Sequence, residues 1–237
     1  MSNWTVYPTL CAARKYLFGQ PKRVHTFVRA LEKVASRYAP SRLLSFGEVH
    51  VFVALQLMSR RGHVSRDALS KELALGGGAV KTLVKHMKMA GLIETSNGGT
   101  KMTAKGRGIF EGLASAIPAE MDLPRLQVAL GRHNYAVLLR EFGFAVRSGI
   151  EQRDAAIKMG AAGATTLLYR DGRFAMPDSG QDPLKKEQTL KKELADTLKP
   201  QEGDVVIIGS AEKGKVAELA AKSAALATIM AHEKHAS

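Results

Sequence analysis

The 237-residue chain is long enough for one or two domains with apolar cores, and its 45% apolar and 24% charged residues are ordinary for a globular protein. A single cysteine, Cys11, excludes a disulfide framework and a cysteine-rich zinc site. The first residues lack a basic-then-apolar leader, and no apolar run reaches the roughly 18 residues that span a bilayer. We therefore expect a cytoplasmic protein without a membrane partner.

The positive charge is concentrated in one half of the chain. The net charge is +13, and residues 1–120 hold 18 Lys and Arg against 7 Asp and Glu, whereas residues 121–237 hold 17 against 15. General solubility does not require such an asymmetry, so the first half is expected to contact a polyanion. The charge carries no sequence specificity, because Lys and Arg neutralise any phosphate.

Residues 1–44 are predicted to be a helical extension. Apolar and basic residues have helical spacing around Leu31 and Val34, and Pro40 ends the pattern. We expect this helix to pack on the next domain or on a partner. Ser45 and Glu48 then have the spacing of a capping box that opens a helix running to about Arg60.

Residues 64–108 have the pattern of a complete winged helix-turn-helix, so residues 45–120 are predicted to be a DNA-binding domain. Ser65 is a favourable N-cap for a helix over about 66–74. The glycines at 76–78 allow a tight turn before a helix over about 78–90. Apolar residues recur in that helix at i, i+3, i+4 and i+7, which predicts one buried face. They are Val80, Leu83, Val84 and Met87.

The opposite face of this helix is the candidate recognition surface, because a basic face can enter a major groove lined with phosphates. Its residues are Lys81, Thr82, Lys85 and Lys88. A hairpin with its turn at 96–99 is predicted next, followed by a helix over 104–117. In this wing, Asn97, Lys101 and Lys105 are expected to contact phosphate. No Asn, Gln or Arg lies on the predicted recognition helix, which makes bidentate base recognition by it less obvious.

The segment MTAKGR at 102–107 resembles the junction between the wing and the following helix in archaeal and bacterial winged-helix regulators, where a threonine caps the helix. The resemblance extends over residues 46–115 and implies double-stranded DNA as the partner. Winged helices also serve as protein-docking or dimerising modules, and a lysine-rich face is also typical of simple solvent exposure. Both alternatives stay open at this point.

Residues 121–237 are predicted to be a smaller α/β-type domain, which makes the whole chain α+β. Pro118 and Pro124 bracket the change of character. Asp171 and Gly172 have the turn chemistry of a hairpin. Extended segments are predicted over 134–140, 164–176 and 204–208, and helices over 146–160, 183–198 and 212–233. The last helix is rich in alanine, which favours close packing on the sheet or on a second subunit, and we expect a homodimer.

Two places in this domain are candidates for binding a small-molecule effector. Polar residues flank the entry to a predicted strand, and a turn at 209–214 joins another strand to a helix whose N–H groups can hold an anion. The candidate ligand-binding residues are Arg153, Asp154, Thr165, Thr166 and Ser210. The alternatives are a solvated helix face for the first place and a plain strand-to-helix turn for the second.

Nothing in the sequence indicates catalysis. The seven histidines show no metal-ligand spacing, and neither a nucleotide-binding motif nor a catalytic arrangement is recognisable. We therefore expect no enzyme activity, no metal and no cofactor.

The whole chain resembles an archaeal family in which a winged helix is followed by a small domain of unknown function. The matching residues are SRDALSKELALGGGAVKTLVKHMKMAGLIE, IEQRDAAIKMGAAGATTLLYRDG and GDVVIIGSAE. The resemblance implies a transcription regulator whose second domain senses a ligand or mediates assembly. Two alternatives stay open, a non-specific chromatin- or RNA-associated protein and an enzyme of riboflavin-kinase type fused to a winged helix. The helical stretches of the second half count against the enzyme.

Overall fold

The protein divides into two compact units. The structure, a computed structural model, describes residues 5–6, 24–36, 44–125 and 131–235. The first unit covers Arg23–Leu113, and the second contains the chain from Ala114 onward together with a short N-terminal strand. The predicted domain boundary between residues 120 and 121 falls inside a strand of the second unit, Ala119–Leu123. Pro118 and Pro124 flank this strand, whereas the sequence pattern predicts that they flank the change between domains.

The first unit is built from helices and one hairpin. The helices predicted over 66–74, 78–90 and 104–117 are confirmed to within a residue at each end. The elements in chain order, counting the N-terminal strand β1 (Thr5–Val6), are α1 (Val24–Val34), α2 (Glu48–Arg61), α3 (Arg66–Leu73), α4 (Gly77–Met89), β2 (Ile93–Ser96), β3 (Gly99–Met102) and α5 (Ala104–Ala116), the last of which ends in the second unit.

The described part of the N-terminal extension is only partly helical. Helix α1 buries Val28, Leu31 and Val34 and packs on α2 and α4. Of the two expected packing partners, the next domain and another protein, the structure shows the first. The prediction of a helical extension is wrong at β1, which pairs antiparallel with residues 119 and 120. Two paired residues are too few to leave an alternating pattern in the sequence. Pro40, which the sequence predicts to end the helix, lies outside the described residues.

The predicted capping box of Ser45 and Glu48 is wrong. The N-cap of α2 is Gly47, and its N–H donates to Nδ1 of His50 at 3.0 Å. Glu48 is the first residue of the helix, two positions before the one from which a side chain reaches back to the cap. The cap therefore depends on a buried imidazole in its neutral form, and burial lowers the pKa of His50.

The second unit is a six-stranded sheet with helices on both faces. Its strand order is β1-β4-β5-β8-β6-β7, and every pairing is antiparallel. The α/β-type prediction for this domain is therefore corrected to α+β. The elements are β4 (Ala119–Leu123), β5 (His133–Leu139), a 3-10 turn (Gly143–Ala145), α6 (Ile150–Lys158), β6 (Gly163–Arg170), β7 (Arg173–Ala175), α7 (Gln188–Leu198), β8 (Val205–Ala211) and α8 (Gly214–His235).

Burial of both faces explains the continuous apolar run of β8, which also occurs in parallel sheets. Val206 and Ile208 pack with α7 in one apolar cluster, while α8 lies on the other face. Gly209 allows that approach, because a Cβ there would overlap the Ala217 carbonyl oxygen. The alanines of α8 are thus buried within one chain and are not available to a second subunit. They are Ala217, Ala220, Ala221, Ala224 and Ala225.

A buried ion cluster joins α8 to the sheet. Lys222 is 0% exposed, and its Nζ lies 3.0 Å from Oε2 of Glu120 on β4 and 2.6 Å from Oε1 of Glu218. Nζ of Lys215 lies 3.0 Å from the other oxygen of Glu218. Burial alone would raise the pKa of Glu218, but Lys222 and Lys215 hold that pKa below its ordinary value.

Replacing Lys222 with Met is expected to lower the free energy of unfolding by about 3–5 kcal/mol, because it removes the buried cation that contacts Glu120 and Glu218 and leaves Glu218 with the half-exposed Lys215. Urea unfolding followed by circular dichroism measures the loss. Glu120→Gln in the same chain should recover part of it. The control is Lys215→Met, at a side chain 43% exposed, which should cost less than about 1 kcal/mol. Equal losses for Lys222→Met and Lys215→Met would contradict the role given to burial.

The first unit is expected to lose stability as the pH falls below about 6.5, the ordinary pKa of histidine. The folded pKa of His50 lies below its unfolded value, so its contribution is present above that pH and is lost as the pH falls toward the folded pKa. Thermal unfolding between pH 7.5 and 5 measures the effect. His50→Gln keeps an acceptor at every pH and should flatten the profile, whereas substitution of the exposed His63 should not.

Candidate nucleic-acid interface

The orientation of α4 is set by its buried face. Val80, Leu83, Val84 and Met87 are at most 6% exposed, which confirms the predicted inner face. Nδ1 of His86 lies 2.9 Å from the Val34 carbonyl oxygen and adds a polar link between α4 and α1. These contacts fix the rotation of the helix about its axis, so the direction of its other side chains is fixed as well.

Three lysines form a row on the outside of α4. Lys81, Lys85 and Lys88 are exposed and follow one another at i, i+4 and i+7, a distance of roughly 10 Å along the axis. Within the described residues, no ion pair joins any of the three ammonium groups to a carboxylate. Thr82 is half-buried, and its hydroxyl donates to the Gly78 carbonyl oxygen at 3.1 Å. The row therefore presents positive charge that no carboxylate of the described residues neutralises.

The three glycines at the beginning of α4 are not required by the turn, which corrects the sequence interpretation. The left-handed residue is Ala74, with φ of +51°, whereas the N-cap Gly76 has φ of −66°. A Cβ added at Gly76, Gly77 or Gly78 would enter open space. The beginning of α4 thus exposes backbone that side chains do not cover, although no neighbour within the described chain demands it.

The hairpin after α4 carries less free charge than its sequence indicates. Lys101 and Glu94 are directly opposite in the β2–β3 register, and Nζ of Lys101 lies 2.9 Å from Oε1 of Glu94. Asn97 is exposed at the tip of the turn. The positive φ of +118° falls on Gly99, where a Cβ would lie 3.0 Å from the Val64 carbonyl oxygen. Lys101 is therefore a paired cation, at a side chain still 44% exposed.

Thr103 ties the hairpin to two helices. Its hydroxyl donates to the Gly91 carbonyl oxygen at 2.6 Å and accepts the Gly106 N–H at 3.1 Å, which confirms the predicted threonine cap of α5. Nζ of Lys105 lies 2.8 Å from the Ala90 carbonyl oxygen, at the negative end of the α4 dipole. Lys105 thus stabilises the end of α4, a role that its position in the sequence does not indicate.

Met89 is a candidate contact that the sequence pattern missed. It is 59% exposed at the last residue of α4, next to Lys88 in the chain. The sequence could have indicated this exposure, because Met89 falls outside the i, i+3, i+4 and i+7 series that marks the buried face. An exposed methionine is an apolar group within a basic surface, and apolar side chains contact the thymine methyl group in major grooves.

Three of the five predicted effector-binding residues come together in the second unit. Arg153, Thr165 and Ser210 line one small open cleft with Gly163 and Ala164. Two of these polar side chains already have partners, because Arg153 pairs with the neighbouring Asp154 at 3.1 Å and Ser210 donates to Oδ1 of Asn134 at 2.8 Å. The cleft therefore offers little unsatisfied polarity.

Asp154 and Thr166 do not line this cleft. Asp154 lies on the exposed side of α6, and Thr166 is 3% exposed. Thr165 and Thr166 are adjacent in β6, so they point to opposite faces of the sheet. Among the residues that the structure describes, no group of three or more His, Cys, Asp and Glu side chains is placed to hold a metal ion.

Comparison with known proteins identifies part of the chain. Residues 130–229 match a domain of unknown function, DUF4443. This segment runs from just before β5 into α8. No curated protein matches the sequence closely enough to indicate a relationship. The described helices include none with the length and apolarity to cross a membrane.

A solved structure is similar over most of the chain. It is a hypothetical protein from Pyrococcus horikoshii OT3, 24% identical, with a TM-score of 0.62 over 81% of this chain and 96% of that one. At this identity the likeness shows the fold alone. Together with the DUF4443 match, it confirms the expected domain of unknown function and an archaeal structural neighbour.

Proposed function

We propose that Arg23–Leu113 is a winged helix-turn-helix that binds double-stranded DNA. In this proposal α4 is the recognition helix and the β2–β3 hairpin is the wing. The single observation that carries the proposal is the row of Lys81, Lys85 and Lys88 on a helix whose opposite face is anchored. The three side chains are exposed and have no carboxylate partner in the described part of the chain. A basic helix held in this way fits a major groove bounded by phosphates.

The charge of the unit supports a polyanionic partner. Residues 23–113 contain 15 Lys and Arg against 6 Asp and Glu. Phosphate neutralisation by such residues supplies affinity for any sequence and a steep salt dependence. Glu94 reduces the positive potential of the hairpin through its pair with Lys101, so the proposal assigns most of the phosphate contacts to α4.

The glycines at the beginning of α4 supply a second mode of contact. Backbone N–H groups at a helix N-terminus donate to phosphate oxygens, and the helix dipole favours negative charge there. Gly77 and Gly78 present these groups without side chains in the way. In this proposal they let the phosphate backbone approach α4 closely, which explains glycines that neither the turn nor the packing requires.

A second candidate function is non-specific DNA packaging or RNA association. The observation that favours it is the absence of Asn, Gln and Arg from α4, since those side chains make most bidentate base contacts. Selection of genomic fragments at near-physiological salt separates the two functions. Enrichment of a short DNA site that is lost in a double variant with Lys81→Gln and Lys85→Gln favours a sequence-specific regulator. Uniform recovery of all fragments favours the second candidate.

Replacing Lys81, Lys85 and Lys88 with Gln is expected to reduce the slope of log affinity against log salt by about one for each lysine that contacts a phosphate. Fluorescence anisotropy with a labelled duplex measures the slope. The matched control is Gln at Lys185, Lys186 and Lys192, three exposed lysines of the second unit. An equal effect of both triple variants would show that net charge alone determines the slope and would contradict the assignment of the phosphate contacts to α4.

Gly77→Ala and Gly78→Ala are each expected to raise the free energy of unfolding by about 0.5–1 kcal/mol and to weaken DNA binding. Alanine stabilises a helix relative to glycine, and its Cβ meets nothing in the free protein. Gly108→Ala is the matched control, because Gly108 is an exposed residue of α5 whose added Cβ also enters open space. It should stabilise the protein and leave binding unchanged. Unchanged binding in Gly77→Ala and Gly78→Ala would remove the backbone contact from the proposal.

A further inference from the structure

Helix α6 has one anchored side and one exposed side. Gln152 and Ala156 are buried, and Nε2 of Gln152 donates to the Thr228 hydroxyl of α8 at 2.9 Å. Ile150 and Ile157 are 51% and 49% exposed, which makes them two of the few large apolar side chains in solvent among the described residues. Two isoleucines seven residues apart lie on the same side of a helix, two turns from each other.

Between the isoleucines lies a pair of opposite charges. Arg153 and Asp154 are 53% and 52% exposed at the side chain, and Nη2 of Arg153 lies 3.1 Å from Oδ1 of Asp154. With Ile150 and Ile157 they occupy i, i+3, i+4 and i+7. We call this row of four residues the α6 stripe. It runs apolar, basic, acidic, apolar along the helix.

The order of residues in the stripe is complementary to itself. When two copies of α6 lie antiparallel about a two-fold axis between residues 153 and 154, Arg153 faces Asp154 of the partner subunit. In the same register Ile150 faces Ile157 of the partner subunit, so both apolar and charged positions are matched. A parallel pair would instead bring Arg153 against Arg153 of the partner subunit, and a like-charge pair is unfavourable. A two-fold contact of this kind is the commonest way in which identical chains associate.

We propose that the α6 stripe is a self-association surface whose occupant is the α6 stripe of a second copy of this chain. The proposal goes beyond DNA binding, because neither the register nor the charge match involves nucleic acid. It also moves the dimer contact from α8, whose alanines are buried within the chain, to α6. Charge complementarity selects a second copy over an unrelated partner, which would have no need of a two-fold pattern.

The contact is small, so the dimer is weak. Nine residues of helix are about 13 Å long, and a contact of that size is below the roughly 1,200–2,000 Å² buried by stable complexes. We expect reversible association in the micromolar range that depends on protein concentration. Its sensitivity to salt is modest, since each dimer contains two exposed charge pairs.

Sedimentation equilibrium of the full chain without DNA tests the proposal. R153D and D154R each place like charges across the two-fold axis and should weaken association at least tenfold. The double variant R153D/D154R exchanges the charges and should restore association to within threefold of the unchanged protein. K158E is the matched control on the same helix, outside the stripe, and should have no effect. Circular dichroism checks that the variants fold, as substitutions at half-exposed side chains should allow.

Three outcomes would overturn the proposal. The unchanged protein could remain monomeric up to high micromolar concentration, or it could dimerise with an affinity that neither single charge reversal alters. A double variant as weak as the single variants would exclude the antiparallel register. Because the measurement contains no DNA, its failure leaves the DNA-binding proposal standing, and failure of DNA binding leaves this contact untouched.

Discussion

The rotation of α4 about its own axis is the constraint on which the candidate interface depends. Four apolar residues at i, i+3, i+4 and i+7 are buried, and a shift of the buried face by one position toward the C-terminus would replace three of them with Lys81, Lys85 and Lys88. Burying an unpaired ammonium group costs far more than burying a methylene group gains. The lysine row is therefore directed outward by the residues on the opposite side of the helix. Among the described residues, no carboxylate pairs with the row.

The parts of this unit that sequence reasoning predicted are those fixed by local periodicity. The spans of α3, α4 and α5 follow from spacing within each helix. The hairpin follows from the turn at Asn97 and Gly98, but the ion pair between Lys101 and Glu94 was not predicted, although a two-residue turn sets the register that places the two side chains opposite each other. Lys105 is different, because its bond to the Ala90 carbonyl oxygen depends on where the ends of two helices meet in space. Sequence spacing contains no information on that meeting.

The N-cap of α2 is a second feature that depends on tertiary contacts and could not be predicted from local sequence. Ser45 is a better N-cap residue than Gly47 by local preference, and the sequence alone favours it. The chain nevertheless enters α2 at Gly47, where the buried His50 supplies the acceptor. Burial of the imidazole is a tertiary effect that overrides the preference of the hydroxyl. It also makes the helix start sensitive to protonation, which a serine cap would not.

In the second unit, the same apolar run was compatible with two kinds of sheet. A strand covered on both faces is apolar along its length whether its neighbours are parallel or antiparallel, so β8 could not decide between α/β and α+β. Lys222 shows why the sequence left the packing partner of the covering helix open between the sheet and a second subunit. Its i−4 partner Glu218 is visible in the sequence, but Glu120 is about a hundred residues away. Because the contact with Glu120 cannot be recognised from the sequence, the alanine-rich composition alone is equally typical of a helix at a subunit interface.

The two proposals, DNA binding by α4 and self-association through the α6 stripe, have a joint consequence for affinity. Non-specific phosphate contacts by one lysine row give weak, salt-sensitive binding, and two rows joined in one particle act at a high effective concentration. A weak contact between copies suffices for this, because the DNA itself brings the second copy close. Under the two proposals, the small size of the α6 stripe and the absence of Asn, Gln and Arg from α4 are consistent with each other, since cooperation between copies would supply affinity that neither surface supplies alone.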